Sequence, residues 1–243
     1  MRTNIYPTRQ AVVEAATERF VDAVKRAVAL RGRFSVALSG GSTPREVYAR
    51  LAEPEIASRI PWKQVHLFWG DERMVPPDHS DSNYRMVKES LLRQIEIPRE
   101  NVHRMKGELP PEMAAEQYQQ ELQDFFPEEL PRFDLVFLGV GEDGHTASLF
   151  PGTAAPDEME KLVTSVYVPK LNAWRVTLTL PVINNAREVI FLVVGSGKAE
   201  IVQRIATLPE PSPDYPASLV QPHTGEPLWM LDSEAEGKIE DER

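Results

Sequence analysis

Apolar residues recur at helical spacing from position 8 to 31, at Val13, Ala16, Phe20, Val24, Ala27 and Leu30, and Gly32 closes the segment. Beyond it the pattern changes to short apolar runs of strand length. These lie at 34–38, 65–69, 133–138, 162–168, 175–180 and 189–194, with a last short run at 227–231. Helix-like stretches separate most of them: 44–51 with Pro44 in its first turn, 82–92 with Ser82 as cap, 112–126 between prolines, and 198–208. Strand and helix alternate almost throughout. That order predicts an α/β fold, Rossmann-like, with a mainly parallel sheet covered by helices on both faces. One domain is expected over residues 1–232. The tail at 233–243 is charged, has no apolar face, and is expected to fray.

Composition narrows the function classes. A length of 243 residues suits one large α/β domain with a full core. The net charge of -10 argues against a nucleic-acid surface, which needs clustered Lys and Arg. A small anion can still bind where basic groups are local. The absence of cysteine excludes disulfides, thiolate catalysis and Cys-based zinc. Residues 1–7 lack a signal-like apolar stretch and no run approaches bilayer length, so the expectation is a cytosolic protein without membrane partners.

The richest stretch is Gly139-Val-Gly-Glu-Asp-Gly-His-Thr-Ala-Ser-Leu-Phe-Pro151, directly after an apolar run. Open α/β sheets place ligands at the carboxyl ends of their strands, and here Asp143 can orient an exposed His145 on a glycine-rich turn. A second such turn, Ser39-Gly-Gly-Ser-Thr-Pro44, joins a strand to a helix. Glycine admits an anion to the backbone, hydroxyls add donors, and the helix N-terminus adds positive potential. Two glycines with two hydroxyls exceed what an N-cap needs, which favours a phosphate cradle at Gly40, Gly41, Ser42 and Thr43 over an ordinary strand-to-helix turn capped by Ser or Thr. Gly195-Ser-Gly-Lys198 also follows a strand, but Leu192 and Ala199 break the Walker spacing, so nucleotide binding is not expected. The GxGxxG match at 139–144 is weak, because no long helix follows it. In Asp71-Glu72-Arg73, Asp71 is expected at the crevice, Arg73 on a carboxylate or phosphate, and Glu72 in solvent. The histidines at 66, 79, 103 and 223 read as structural or surface groups. No metal-ligand spacing appears.

Taken together, these segments resemble the non-propeller 6-phosphogluconolactonases over nearly the whole chain. The resemblance rests on SGGSTP at 39–44, FWGDERMVPPDHSDSNYRM at 68–86, LGVGEDGHTASLFPG at 138–152, RVTLTLPVINNAREVIFLV at 175–193 and GKA at 197–199. It implies the fold of the glucosamine-6-phosphate deaminases and hydrolysis of a sugar-phosphate lactone in the pentose phosphate pathway. It also implies phosphate candidates Ser42, Thr43, Arg175 and Lys198, with His145 as catalytic base. The proline-rich run usual before the strand arginine departs here, as Pro169-Lys-Leu-Asn-Ala-Trp174. Related deaminases carry a glutamate five residues after the motif histidine; this chain has Phe150. Hydrolysis needs only a base for water and donors for the oxyanion. The expected site is therefore His145, Asp143, Asp71 and Arg73 for chemistry, with Gly40, Gly41, Ser42, Thr43, Arg175 and Lys198 for phosphate, no cofactor, and a monomer or small homo-oligomer. The base predicts a loss of rate as pH falls through the imidazole pKa, near about 6.5 if the ring is unperturbed. A deaminase or isomerase, or a silent sugar-phosphate sensor, are the competing readings.

Overall fold

The computed structural model describes residues 1–237. In chain order its strands are β1 (Arg2–Tyr6), β2 (Phe34–Leu38), β3 (Val65–Trp69), β4 (Asp71–Arg73), β5 (Val102–His103), β6 (Leu135–Leu138), β7 (Val163–Val168), β8 (Ala173–Leu178), β9 (Val189–Val193) and β10 (Leu228–Asp232). The α-helices are α1 (Arg9–Arg31), α2 (Ser42–Leu51), α3 (Pro54–Ala57), α4 (Asn83–Val87), α5 (Pro111–Phe125), α6 (Leu180–Asn184), α7 (Ala199–Ala206) and α8 (Ser233–Glu236).

The long first helix forms as its periodicity requires. Thr8 caps it by accepting from the Ala11 amide at 3.2 Å, and Gly32 ends it in the left-handed region at φ 74°. Its buried face, Val13, Ala16, Phe20, Val24 and Ala27, is the one the spacing picked out; Leu30 is exposed. The expected helix at 82–92 splits into α4 and one wider π-helical turn, Lys88–Leu92.

Seven strands form a wholly parallel sheet in the order β1-β10-β9-β6-β2-β3-β5. Strands β2, β6 and β9 are buried at every residue, which is why they read as continuous apolar runs rather than alternating ones. Two of the predicted strands go elsewhere. β8 pairs antiparallel with β7 on one side and with β4 on the other, in a separate three-stranded sheet. An apolar run specifies extended backbone but not its partner, and the run at 175–180 gives way to α6 at Leu180. The charged tail also departs from expectation over its first four residues. Ser233–Glu236 form a helical turn capped by Asp232, which accepts from the Ala235 amide at 2.8 Å, and Ala235 is fully buried. Residues 238–243 of that tail lie outside the described residues. Among the described residues no helix is long and apolar enough to cross a membrane.

Candidate active site

Four neighbouring strands, β9, β6, β2 and β3, end on the same edge because the sheet is parallel, and each is followed by one of the polar turns. The chain order reverses between β6 and β2, the position at which open sheets leave a crevice. A cleft of about 300 Å³ lies there, lined by Gly40, Gly41, Ser42 and Thr43 after β2, by Asp71 and Arg73 after β3, by Gly139, Gly141 and His145 after β6, and by Lys198 after β9. A larger groove of about 450 Å³ around Trp229 and Leu208 is lined mostly by prolines and aliphatic residues; Glu210 and Glu226 are its only charged side chains, and it holds no histidine, lysine or arginine.

The glycine cradle is anchored from behind. The buried Tyr48 hydroxyl of α2 accepts from the Ser39 amide and donates to the Ser39 carbonyl, both at 3.0 Å, so the start of the loop is tied to the helix it feeds. Tyr118 does the same to Trp69 at the end of β3, at 2.8 and 3.2 Å. Gly40 is required by close approach, since a Cβ there would lie 2.1 Å from Asn83 Oδ1. The α2 N-terminus leaves the Ser42 and Thr43 amides without intrahelical partners, and both residues line the cleft.

On the β6 turn, Asp143 Oδ1 sits 2.5 Å from His145 Nδ1 and also accepts from the His145 amide at 3.2 Å. The carboxylate assigns the proton to Nδ1 and leaves Nε2 as the free basic nitrogen. Gly141 makes room for this pair, because a Cβ there would fall 2.0 Å from Nδ1. Phe150 stacks on the imidazole with centroids 4.1 Å apart and planes at 22°. Lys170, in the turn before β8, contacts the Asp143 carboxylate and lies over the Phe150 ring at 4.9 Å. Burial pushes His145 down to about 4, opposed by Asp71 and reinforced by Lys198, Arg73 and Arg175. The imidazole is therefore a perturbed one, and the value near 6.5 expected for an unperturbed ring does not apply. The correction comes from the surroundings, which no local motif encodes.

Asp71 is buried and doubly held: Ser148 Oγ donates to it at 2.7 Å and Asn83 Nδ2 at 3.2 Å. Ser148 can turn back this far because Ala147 occupies the left-handed region at φ 47°, an uncommon conformation for a residue with a Cβ. With its proton on Asp71 and its side chain buried, Ser148 is not placed as a nucleophile.

Arg73 and Arg175 face each other directly across the antiparallel β4–β8 ladder. Like charges in that position repel, and an anion between or beside them would relieve the pair. Burial and Arg73 together lower the Arg175 pKa. Arg73 gives one donor to the Asp81 carbonyl at 2.7 Å, while its buried Nε has no partner. Arg175 does not line the cleft itself; it sits beside Arg73 on the neighbouring strand.

Glu72 is the clear departure from the sequence reading. It is only 2% exposed, not solvated, and accepts from the amides of Arg73, Asn83 and Tyr84 at 2.7, 2.8 and 2.8 Å and from Ser82 Oγ at 3.1 Å. It satisfies the N-terminus of α4, a partner ten residues away that local charge patterning does not reveal. His66 and His103, which have no telling neighbours in sequence, are joined by the β3–β5 pairing. His66 Nδ1 lies 3.2 Å from His103 Nε2, and His103 Nδ1 lies 2.8 Å from Glu121. They sit at the sheet edge, away from the cleft. Arg9, at the start of α1, lines the cleft and was not singled out by any motif.

Against known proteins, the family described as glucosamine-6-phosphate isomerases/6-phosphogluconolactonase matches residues 7–229. A 6-phosphogluconolactonase of Synechocystis sp. is 42% identical over 239 residues, covering 96% of each chain. The structure of 6-phosphogluconolactonase from Trypanosoma brucei superposes with a TM-score of 0.85 at 31% identity, over 98% of both chains. A monomeric glucosamine-6-phosphate deaminase shares the fold alone, with a TM-score of 0.82 at 19% identity over 97% of this chain and 99% of that one.

Proposed function

The chain belongs to the glucosamine-6-phosphate isomerase/6-phosphogluconolactonase family, and on that footing we propose that it hydrolyses 6-phospho-D-glucono-1,5-lactone to 6-phosphogluconate in the oxidative pentose phosphate pathway. The observation that carries this reading is a His145 oriented by Asp143, with Nε2 free, in the same cleft as a glycine cradle and Lys198. The phosphate sits on the Gly40–Thr43 loop and Lys198, with Arg175 adding charge from β8. That anchor carries the lactone carbonyl to His145.

Neutral His145 Nε2 takes a proton from water as the water oxygen attacks the lactone carbon. Charge develops on the carbonyl oxygen, where the Arg73 guanidinium, which lines the cleft, supplies a donor. The amide of Gly141 is already given to the His145 carbonyl at 2.8 Å, so the glycine turn contributes less than its sequence suggests. The tetrahedral species collapses by breaking the bond from the carbon to the ring oxygen, which receives the proton from Nε2. The new carboxylic acid then ionises, releasing one proton to solvent. Asp71 keeps Ser148 and Asn83 in place and adds negative charge near the imidazole.

Phe150 supports hydrolysis over deamination. Its ring covers a face of His145 where the deaminases' carboxylate is expected, and an apolar face offers nothing to ring opening. The test is proton release from freshly made 6-phosphogluconolactone, corrected for spontaneous hydrolysis, with gluconolactone as control. Losing the phosphate anchor should cost at least about a hundredfold in kcat/KM. Ammonia release from glucosamine-6-phosphate without lactone hydrolysis would establish the deaminase reading instead. Phosphate binding without turnover would establish a sensor.

A further inference from the structure

The phosphate end of the cleft contains one cation that no motif marks. Arg9, the first residue of α1, reaches across to the start of α2. Its Nη2 donates to Ser42 Oγ at 3.2 Å and to Thr43 Oγ1 at 3.5 Å, and its Nη1 pairs with Glu46 at 2.9 Å. From this geometry we infer that Arg9 is a specificity-determining residue for the phosphate, acting both as a charge and as the group that aims the cradle's hydroxyls. The inference rests on the phosphate anchor proposed above and extends it to a residue from a different helix.

A serine or threonine hydroxyl has one proton to give and lone pairs with which to accept. In this site both hydroxyls accept from the same guanidinium nitrogen, so their own protons are turned away from Arg9. The cradle is the surface they are left to face. An anion on the loop then meets two hydroxyl donors already oriented, together with the outward amides of Ser42 and Thr43. Without Arg9 the hydroxyls are free to rotate or to satisfy their protons on nearby carbonyls. Ordering them becomes a cost of binding.

Glu46 fixes which way the guanidinium faces. It is one turn further along α2, so it and the two hydroxyls hold Arg9 against the same helix end. The Arg9 side chain remains 43% exposed, so its charge is partly screened and the pair with Glu46 adds little to folding. Arg9 is therefore placed to affect ligand recognition much more than stability. A planar guanidinium suits this double contact, and a lysine ammonium keeps the charge but not the fork.

The experiment compares wild type, Arg9→Ala and Arg9→Lys in two measurements. The first is the ratio of kcat/KM on 6-phosphogluconolactone to that on gluconolactone. The second is the Kd for inorganic phosphate by calorimetry. Arg9→Ala should lower the ratio about ten- to a hundredfold, the range for hydrogen bonds to charged groups, mainly through KM. It should weaken inorganic phosphate by a similar factor, with Arg9→Lys between the two and a thermal midpoint close to wild type. An unchanged ratio with unchanged phosphate Kd overturns the inference. So does an equal loss on both lactones, which marks a structural role. Should the wild type hydrolyse neither lactone, the proposed function fails while the phosphate titration still decides Arg9.

Discussion

The pH response of His145 offers the sharpest check on the site. Burial, aided by Lys198, Arg73 and Arg175, holds the imidazole at about 4. At pH 5.5 an ordinary imidazole at about 6.5 is only about 9% neutral, whereas one at about 4 is about 97% neutral. The acid limb is best read on gluconolactone, because a phosphate monoester titrates near about 6 and would mask the enzyme's own group. Between pH 7.5 and 5.5 the ordinary value predicts about a tenfold fall in kcat/KM, and the lowered value almost none. An NMR titration of the imidazole, assigned by difference from His145→Asn, reads the same group directly. Adding inorganic phosphate should raise its pKa by neutralising the cations around it. The linkage has a definite sign: the folded value lies below the unfolded one, so the associated stability is present above about 6.5 and is lost as pH falls through about 4. His145→Asn should remove about 10²- to 10⁴-fold of rate while phosphate still binds. A limb at or above 6.5 would refute the account of burial, and near-wild-type turnover in His145→Asn would place the base elsewhere.

Two further substitutions probe the scaffold. Gly141→Ala puts a methyl group 2.0 Å from His145 Nδ1, so the ring must move; a shift near 1 Å should cost about a hundredfold in kcat, and an unaltered kcat would show the turn to be tolerant. Tyr48→Phe strips partners from the buried Ser39 amide and carbonyl and should lower unfolding free energy in urea by about 1–3 kcal/mol, with a higher KM for the phosphorylated lactone; no change in either would mean the loop is anchored some other way.

The histidine turn, the glycine-rich turn after β2 and the first helix with its closing glycine are legible in the residues alone. Each is specified within a few positions: a cap bonds three residues ahead, a helical face repeats every three or four, and a buried strand is a continuous apolar run. The parallel sheet then follows from the alternation of strands and helices, and it sends four polar turns to one edge. Partnership across the chain is a different matter. Nothing local assigns β7 and β8 to a side sheet, sets Arg73 opposite Arg175, buries Glu72 under α4, joins His66 to His103, or brings Arg9 to the α2 N-terminus. The chemistry of His145 lies on the same side of that divide. Its proposed role as a base rests on a short motif, but its proton affinity is set by burial and by charges from β4, β8 and the turn after β9. Those charges are far away in sequence, and only packing brings them within range of the ring.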